Sequence, residues 1–415
     1  MDKPEGFGAA TTGGGDASSI TVSTYQEFKD ALSLNESKVI LINGTITIPE
    51  YQAISKRVVN KTILGLPGAT LENLSQSSGS GILTLSSGSS NVIIRNITFK
   101  GPGAYDIDGR DLLTVEGCNN LWVDHCEFQD GQDGNFDIKN TTDNVTVSWC
   151  KFTYLLPAKA GGSGGSDDHR YTNLIGSSKS NAPADGHFSV TFQNCYWADG
   201  CKERMPRARN AELHILNCYY NTSVDNSTAI GLGGGPNNTT CYVENTNFDK
   251  ISSVFKSYAS DGGVTLIQFE NCINPTNNIG TVNKPSYEYT TYPAEEVKDA
   301  VTNESCGAGA NLMIDDSGVV TSSCDKLSIA EQDLFSVKFY PTVFNETLFM
   351  ELPQSVNEPL TVSIFSVTGK RVFTKTFQKE YSNTKTLALS HVNSGMYFCK
   401  VTHGNQSKVY KVIKN

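Results

Sequence analysis

Short runs of alternating apolar and polar residues recur along much of the chain: NVIIRNITF, NLWVDHCEF, NVTVSWCKF, FSVTFQNCYW, AELHILNCYY, TTCYVENTNF and TLIQFENCIN. Each ends in a small polar residue or Cys, one further residue and then usually an aromatic. The runs are too short for amphipathic helices and too far apart for hairpins. From Gly101 to Thr222 they repeat with a period in the twenties, which predicts a stacked β-solenoid in which equivalent residues of successive coils pile up.

Other segments fit around that stack. SITVSTYQEFKDAL predicts a strand followed by a short helix capped by Ser23 or Thr24. Such a helix covers the open first coil, whose apolar side chains and strand edge would otherwise face water. Between Tyr154 and Arg170 lies a Gly- and Ser-rich loop, LLPAKAGGSGGSDDH, the kind of excursion that builds binding sites on rigid scaffolds. The repeat fades after Pro275, and YPAEEVKDAVTNESCGAG reads as a short helix and a tail packed on the outside. The last 80 or so residues contain short alternating strands separated by turns, as in a small antiparallel sandwich. The expected division is a β-helix over 1–312, a linker over 313–333 and a sandwich over 334–415. The fold class is thus all-β.

Charge narrows the partners. With 33 basic and 43 acidic side chains the net charge is −10, which argues against general nucleic-acid binding. No run of 18 apolar residues is present, so no membrane span is expected, and the chain is expected to be a monomer. The N-terminus lacks the apolar core of a signal peptide, and Met1 stands where an export leader is expected to have been removed. Among 11 cysteines, Cys126, Cys150, Cys195, Cys218 and Cys272 occupy the same place in the repeat. They are expected to stack as small buried thiols rather than as disulfides. Cys306 and Cys324, outside the coils, are the better disulfide pair in an exported protein.

The stacking gives meaning to the spacing of acidic residues. Asp111 and Asp133 are 22 residues apart, about one coil, so they should sit side by side at roughly the ~4.8 Å inter-strand spacing, with Asp137 following in DGNFD. Three carboxylates so close would repel unless a cation sat among them, and a hard oxygen-seeking ion such as Ca²⁺ suits them. WVDH, with Trp122, Asp124 and His125, reads as a structural cluster inside the turn stack. His169 and His187 have no evident partner in sequence.

WVDH, DGNFD and RMPRAR, in that order, resemble polysaccharide lyase family 1 pectate lyases. The likeness runs from about Gly6 to Gly309 through PEGFGAATTGG, RDLLTVEGCNNLWVDHCEF, LIGSS and ERMPRARNAELHILNCYYN. It implies a right-handed parallel β-helix and calcium-dependent β-elimination of polygalacturonate. It also implies that Asp111, Asp133 and Asp137 are the calcium ligands, Arg204 the catalytic base and Arg209 its substrate-holding partner. Arg207 is expected to add positive charge for the substrate. Where the family has a lysine five residues before the glycine of LIG, this chain has Tyr171, with Arg170 beside it. Both are expected at the substrate. The terminal segment resembles the C-terminal sorting domain of the bacterial type IX secretion system through VSIFSVTGKRV, SGMYFCKV and KVYKVIKN. That implies a bacterial protein, secreted or held at the cell surface, and contact with secretion machinery.

The implied chemistry removes the proton on C5, α to a uronate carboxylate, and expels the C4 oxygen. A guanidinium normally titrates above ~12, so nearby cations (Ca²⁺, Lys202, Arg207, Arg209) are expected to favour neutral Arg204 against Glu203 and Glu212, with an alkaline optimum. A polygalacturonase-like hydrolase, a pectin lyase and a non-catalytic glycan-binding β-helix remain as alternatives at this level.

Overall fold

Each repeat in the computed structural model forms one coil of three short strands, and every strand pairs in parallel with its counterpart on the next coil. Residues 3–321, 337–351, 360–367, 369–377, 384–403 and 406–415 are described. Ten strands from Ser19–Val22 to Thr265–Glu270 build sheet 1. Eight from Thr45–Thr47 to Asn247–Lys250 build sheet 2, and eight from Ile54–Lys56 to Ser253–Ser257 build sheet 3. The parallel β-solenoid read from the repeat is therefore the fold.

The recurring Asn/Cys/aromatic signature follows from one corner of the coil. At the turn from sheet 1 to sheet 2, the residue before each Cys position has a left-handed backbone: Asn96 (φ 59°), His125 (44°), Trp149 (50°), Asn194 (55°), Asn217 (50°) and Asn271 (52°). Asn tolerates that region better than most residues, which explains its recurrence. The next side chain turns inward, and Cys126, Cys150, Cys195 and Cys218 are buried as free thiols. Their sulfurs reach carbonyls of the preceding coil, as in Cys150 Sγ to Val123 O at 3.6 Å and Cys195 Sγ to Val147 O at 3.4 Å. The aromatic two residues later forms a column, Phe99, Phe128, Phe152, Trp197, Tyr220 and Phe248. Its successive ring centroids lie 4.9, 5.2, 5.5, 4.6 and 4.8 Å apart. Each such pair contributes about 0.5–1.5 kcal/mol beyond the area it buries.

Helix α1, Tyr25–Leu32, covers the first coil with Phe28, Ala31 and Leu32. Thr24 is its cap, in a reciprocal capping box with Glu27. Helix α2, Ala294–Val301, buries Ala294, Val297 and Val301 against the outside of sheet 2. The tail continues inward beyond the expected boundary at 312, because Leu312 and Ile314 are buried with Leu41, Leu64 and Leu66. WVDH is a structural cluster, as expected. Asp124 receives Arg95, His125 and Ser148, and Trp122 donates to Ser148.

The chain divides into two units, Met1–Cys324 and Asp325–Asn415. The second has its own apolar core, including Leu348, Met350, Val362, Leu387 and Val401, between a three-stranded and a five-stranded sheet. Pairing is antiparallel except where Val343–Phe344 runs parallel to Gln406–Lys414. Of the expected Cys306–Cys324 pair, Cys324 lies outside the described residues, as does most of the expected 313–333 linker.

Candidate functional site

Most of the candidate residues lie on or beside sheet 3. Asp111 lies just before its strand Leu113–Val115, and Asp137 sits within Phe136–Ile138, where Thr114 is its partner in register. Because the register pairs Leu113 with Phe136, the residue beside Asp111 is Gly134 rather than Asp133. A Cβ at Gly134 would stand 2.8 Å from Asp111 Oδ1, so the glycine leaves room for that carboxylate. Lys139 bridges the two aspartates, its Nζ 3.1 Å from Asp111 Oδ2 and 3.0 Å from Asp137 Oδ2. Burial pushes the Asp111 carboxyl up to about 7; Asp137 and Asp133 add to the rise and Lys139 opposes it. Two buried carboxylates that need an ammonium, with a glycine cradle beside them, form an all-oxygen donor set that suits a hard divalent cation.

Asp133 turns to different neighbours. Its Oδ1 is 3.3 Å from Nε2 of His169, whose Nδ1 is 3.3 Å from Oδ2 of Asp106. Sequence reading gave no role to Asp106 or His169, because they come from the anchor and the end of the Gly/Ser loop, whose length breaks the repeat. That loop is pinned at several points: Asp130 Oδ1 accepts from the backbone of Leu155 and Leu156, and Asp106 accepts from Gly164 and Ser166.

Beyond the loop, Tyr171 and Arg170 diverge. Arg170 makes a bidentate pair with Asp168, which Lys202 joins at 3.1 Å. Burial alone would raise the Asp168 carboxyl, but these hydrogen bonds outweigh it and hold it at about 2. Arg170 and Lys202 line a cavity of about 530 Å³ with Tyr154, Leu156 and Asp199. Tyr171 instead lies against His169, ring centroids 4.1 Å apart, and under Arg204, whose Cζ is 4.5 Å from its centroid.

Arg204 occupies a left-handed backbone position, φ 61°, outside any strand. Residues other than glycine take that conformation only when their surroundings enforce it, at on the order of 1–3 kcal/mol. Here Thr172 Oγ1 and Asn173 N donate to Arg204 O at 2.5 and 2.6 Å, and Met205 N donates to Ala229 O at 2.9 Å. The strand Arg207–Ala208 starts only after Pro206.

Neighbouring cations are spoken for. Asp261 accepts from Arg207 Nη2 at 3.2 Å and Arg209 Nε at 2.9 Å, while Arg209 Nη1 also donates to Gly176 O at 2.6 Å. Burial pulls the Arg209 guanidinium down, Arg207 adds to the fall, and Asp261 opposes it. Glu203 accepts from Tyr258 and faces Lys256, whereas Glu212 belongs to sheet 1. Among the described residues, Arg204 has no carboxylate within ion-pair distance. No sequence signal pointed to Asp261, some 50 residues downstream. Sequence reading also missed Lys139, for which a signal was present: it stands two residues past Asp137 and so on the same side of an extended chain.

A family profile described as "Pectate lyase" matches residues 5–311, and one described as "Secretion system C-terminal sorting domain" matches residues 338–415. The pectate trisaccharide-lyase of Thermotoga maritima is 33% identical over 235 residues, 53% of this chain and 57% of that protein. This chain thus spans little more than half the length of that relative. Pectate lyase A of Aspergillus niger is 32% identical over 303 residues, covering 70% of this chain and 82% of that one. Among solved structures, a Bacillus pectate lyase in complex with trigalacturonate superposes with a TM-score of 0.56 at 21% identity, over 74% of this chain and 99% of that one. A polygalacturonate lyase fused with a self-assembling amphipathic peptide gives 0.59 at 20% identity, over 75% and 98%. These two likenesses concern the fold.

Proposed function

We propose that this chain, which belongs to the pectate lyase family, cleaves polygalacturonate on the sheet 3 face by calcium-dependent β-elimination, releasing unsaturated oligogalacturonides. The observation that carries the reading is Arg204. It is held in a constrained turn without a carboxylate partner, while Arg207, Arg209, Arg170 and Lys202 around it are all paired.

In the proposed reaction Arg204 removes the C5 proton. The electron pair of that C–H bond becomes the C4=C5 double bond as the C4–O bond breaks. The glycosidic oxygen leaves with its own pair and takes a proton from solvent. Asp111, Asp133 and Asp137 would hold Ca²⁺, which when bound withdraws electron density from the substrate carboxylate. Until it binds, Lys139 balances Asp111 and Asp137. Tyr171 helps to place the Arg204 guanidinium, whose Cζ stands over its ring. Arg207 and Arg209, tethered by Asp261, present fixed positive charge to a substrate carboxylate, and their locked geometry needs no rearrangement as charge develops. Arg170 faces a neighbouring subsite and meets the chain away from the cleaved bond.

The C-terminal unit serves as an export address, directing the protein to the outside or the cell surface. No helix among the described residues is long and apolar enough to cross a membrane.

The test is incubation with polygalacturonate, with calcium and with chelator. Ultraviolet-absorbing product that needs calcium supports the reading. New reducing ends without absorbance would mark a hydrolase, and binding without product would mark a glycan-binding solenoid.

A further inference from the structure

The cavity that Arg170 and Lys202 line is poorly matched to a charged uronate. Three carboxylates, Asp168, Asp199 and Asp225, line it against those two cations. Both cations are already engaged by Asp168, Arg170 through its bidentate pair and Lys202 at 3.1 Å. Asp199 is committed as well, accepting from the Ser223 backbone at 2.8 Å and its hydroxyl at 2.6 Å. A free carboxylate entering here meets an excess of negative charge and no cation that needs it. Two further lining residues, Leu155 and Leu156, are 67% and 46% exposed. Their backbone is nevertheless fixed, because the buried Asp130 accepts from both amides, at 2.7 and 2.9 Å.

We propose that this cavity receives a methyl-esterified galacturonate, so that the substrate class extends from polygalacturonate to partly methylated pectin. The proposal rests on the elimination set out above. The sugar that gives up its C5 proton keeps a free carboxylate, and a sugar flanking it enters the cavity as the neutral ester. An ester carries no charge for Asp199 and Asp225 to repel. Its carbonyl accepts from an N–H of Arg170 that Asp168 leaves over, since a guanidinium has five donors and the pair uses two. Its methyl group meets Leu155 and Leu156, which exchange water for apolar contact.

The cavity adjoins the reacting residues. Tyr154, which lines it, donates its hydroxyl to Tyr171 O at 2.6 Å, Tyr171 lies under Arg204, and Lys202 stands two residues before Arg204. A cation dedicated to a substrate carboxylate would be stranded by an ester, and a site built that way rejects it. Here the ester strands nothing, because Asp168 keeps Arg170 and Lys202 paired whether or not substrate is bound. Asp168 and the two leucines are therefore the residues that set the tolerance for methylation.

The experiment digests randomly methylated pectin of low esterification with the full chain in calcium and maps the ultraviolet-absorbing products by tandem mass spectrometry. Methyl esters should occur on a sugar flanking the unsaturated one at or above the mean level of the substrate, while the unsaturated sugar itself is the free acid. Asp168→Asn leaves Arg170 and Lys202 in need of a carboxylate, so kcat/KM on methylated pectin relative to polygalacturonate should fall about 10-fold. Leu155→Ser combined with Leu156→Ser should lower the same ratio about 3- to 10-fold through the lost methyl contact. Both leucines are exposed, so this variant keeps the fold, which circular dichroism checks, and it carries the test should Asp168→Asn misfold. Depletion of esters from both flanking sugars, or an unchanged ratio in the folded leucine variant, would overturn this inference and leave the elimination standing. Absence of ultraviolet-absorbing product from polygalacturonate itself would overturn both.

Discussion

Replacing Lys139 with Met removes the internal cation between Asp111 and Asp137 while keeping much of its apolar stem. The side chains of Lys139, Asp111 and Asp137 are 19%, 3% and 5% exposed, so solvent screens the contact poorly. Leaving buried charge without its partner costs about 3–5 kcal/mol. At about 2.1 cal/mol/K per residue, a cooperative unit ending at Cys324 loses about 4–7 °C in unfolding midpoint. The sign with pH follows from Asp111, whose folded value is raised to about 7. Its contribution is fully present below the unfolded value near 3.8 and is lost as pH rises through about 7. Chelated parent protein should therefore weaken between about pH 4 and pH 7, and Lys139→Met should deepen that loss and carry it to higher pH because the opposing cation is gone. Differential scanning calorimetry in chelator at alkaline pH measures the difference. Saturating calcium should narrow it, since an ion at about 100 times its Kd adds about 2.7 kcal/mol. If Lys139→Met in chelator melts within about 1 °C of the parent, Lys139 is not the counter-ion and the charge argument for this site fails.

Four further outcomes are expected. Arg204→Lys keeps the charge but not the planar fork, and turnover should fall by about 10²–10⁴ with little change in substrate binding; near-parental turnover across alkaline pH would remove Arg204 as the base. Tyr171→Ala loses the contact with Arg204, worth about 0.5–2 kcal/mol, so turnover should drop by about 2- to 30-fold while Tyr171→Phe stays near the parent; a large loss in Tyr171→Phe would instead assign a role to the phenol. Asp261→Asn should weaken binding of polygalacturonate and lower the midpoint, since Arg207 and Arg209 lose their shared carboxylate; unchanged binding would show that the pair does not meet substrate. A chain ending at Thr321 should retain lyase activity, whereas one ending at Gly309 should melt lower because Leu312 and Ile314 are lost from their packing with Leu41 and Leu64; equal midpoints would contradict that role.

The fold was legible because a solenoid is nearly one-dimensional. Where coils have equal length, a residue's place in the repeat is its place in space. Cys126 and Cys150 could therefore be stacked by counting, and so could Phe128 and Phe152. The same counting put Asp111 and Asp137 on neighbouring coils, and the motifs around Arg204 marked it for attention. Counting missed by one residue at Asp133, because a shift of one in register turns a side chain to different neighbours.

Tertiary structure alone decided the rest. Leu113 pairs with Phe136, but Ile138 pairs with Ile175, because the Gly/Ser loop is inserted between those two coils. An inserted loop breaks the phase of the repeat, so spacing no longer says what its residues face, and its anchoring at Asp130 and Asp106 brings His169 to Asp133. Asp261 likewise reaches Arg207 and Arg209 from a later coil through side-chain length and backbone direction. A linear pattern encodes the stacking of coils, which depends on period. It does not encode the pairing of charges between irregular loops, which depends on where each loop returns to the stack.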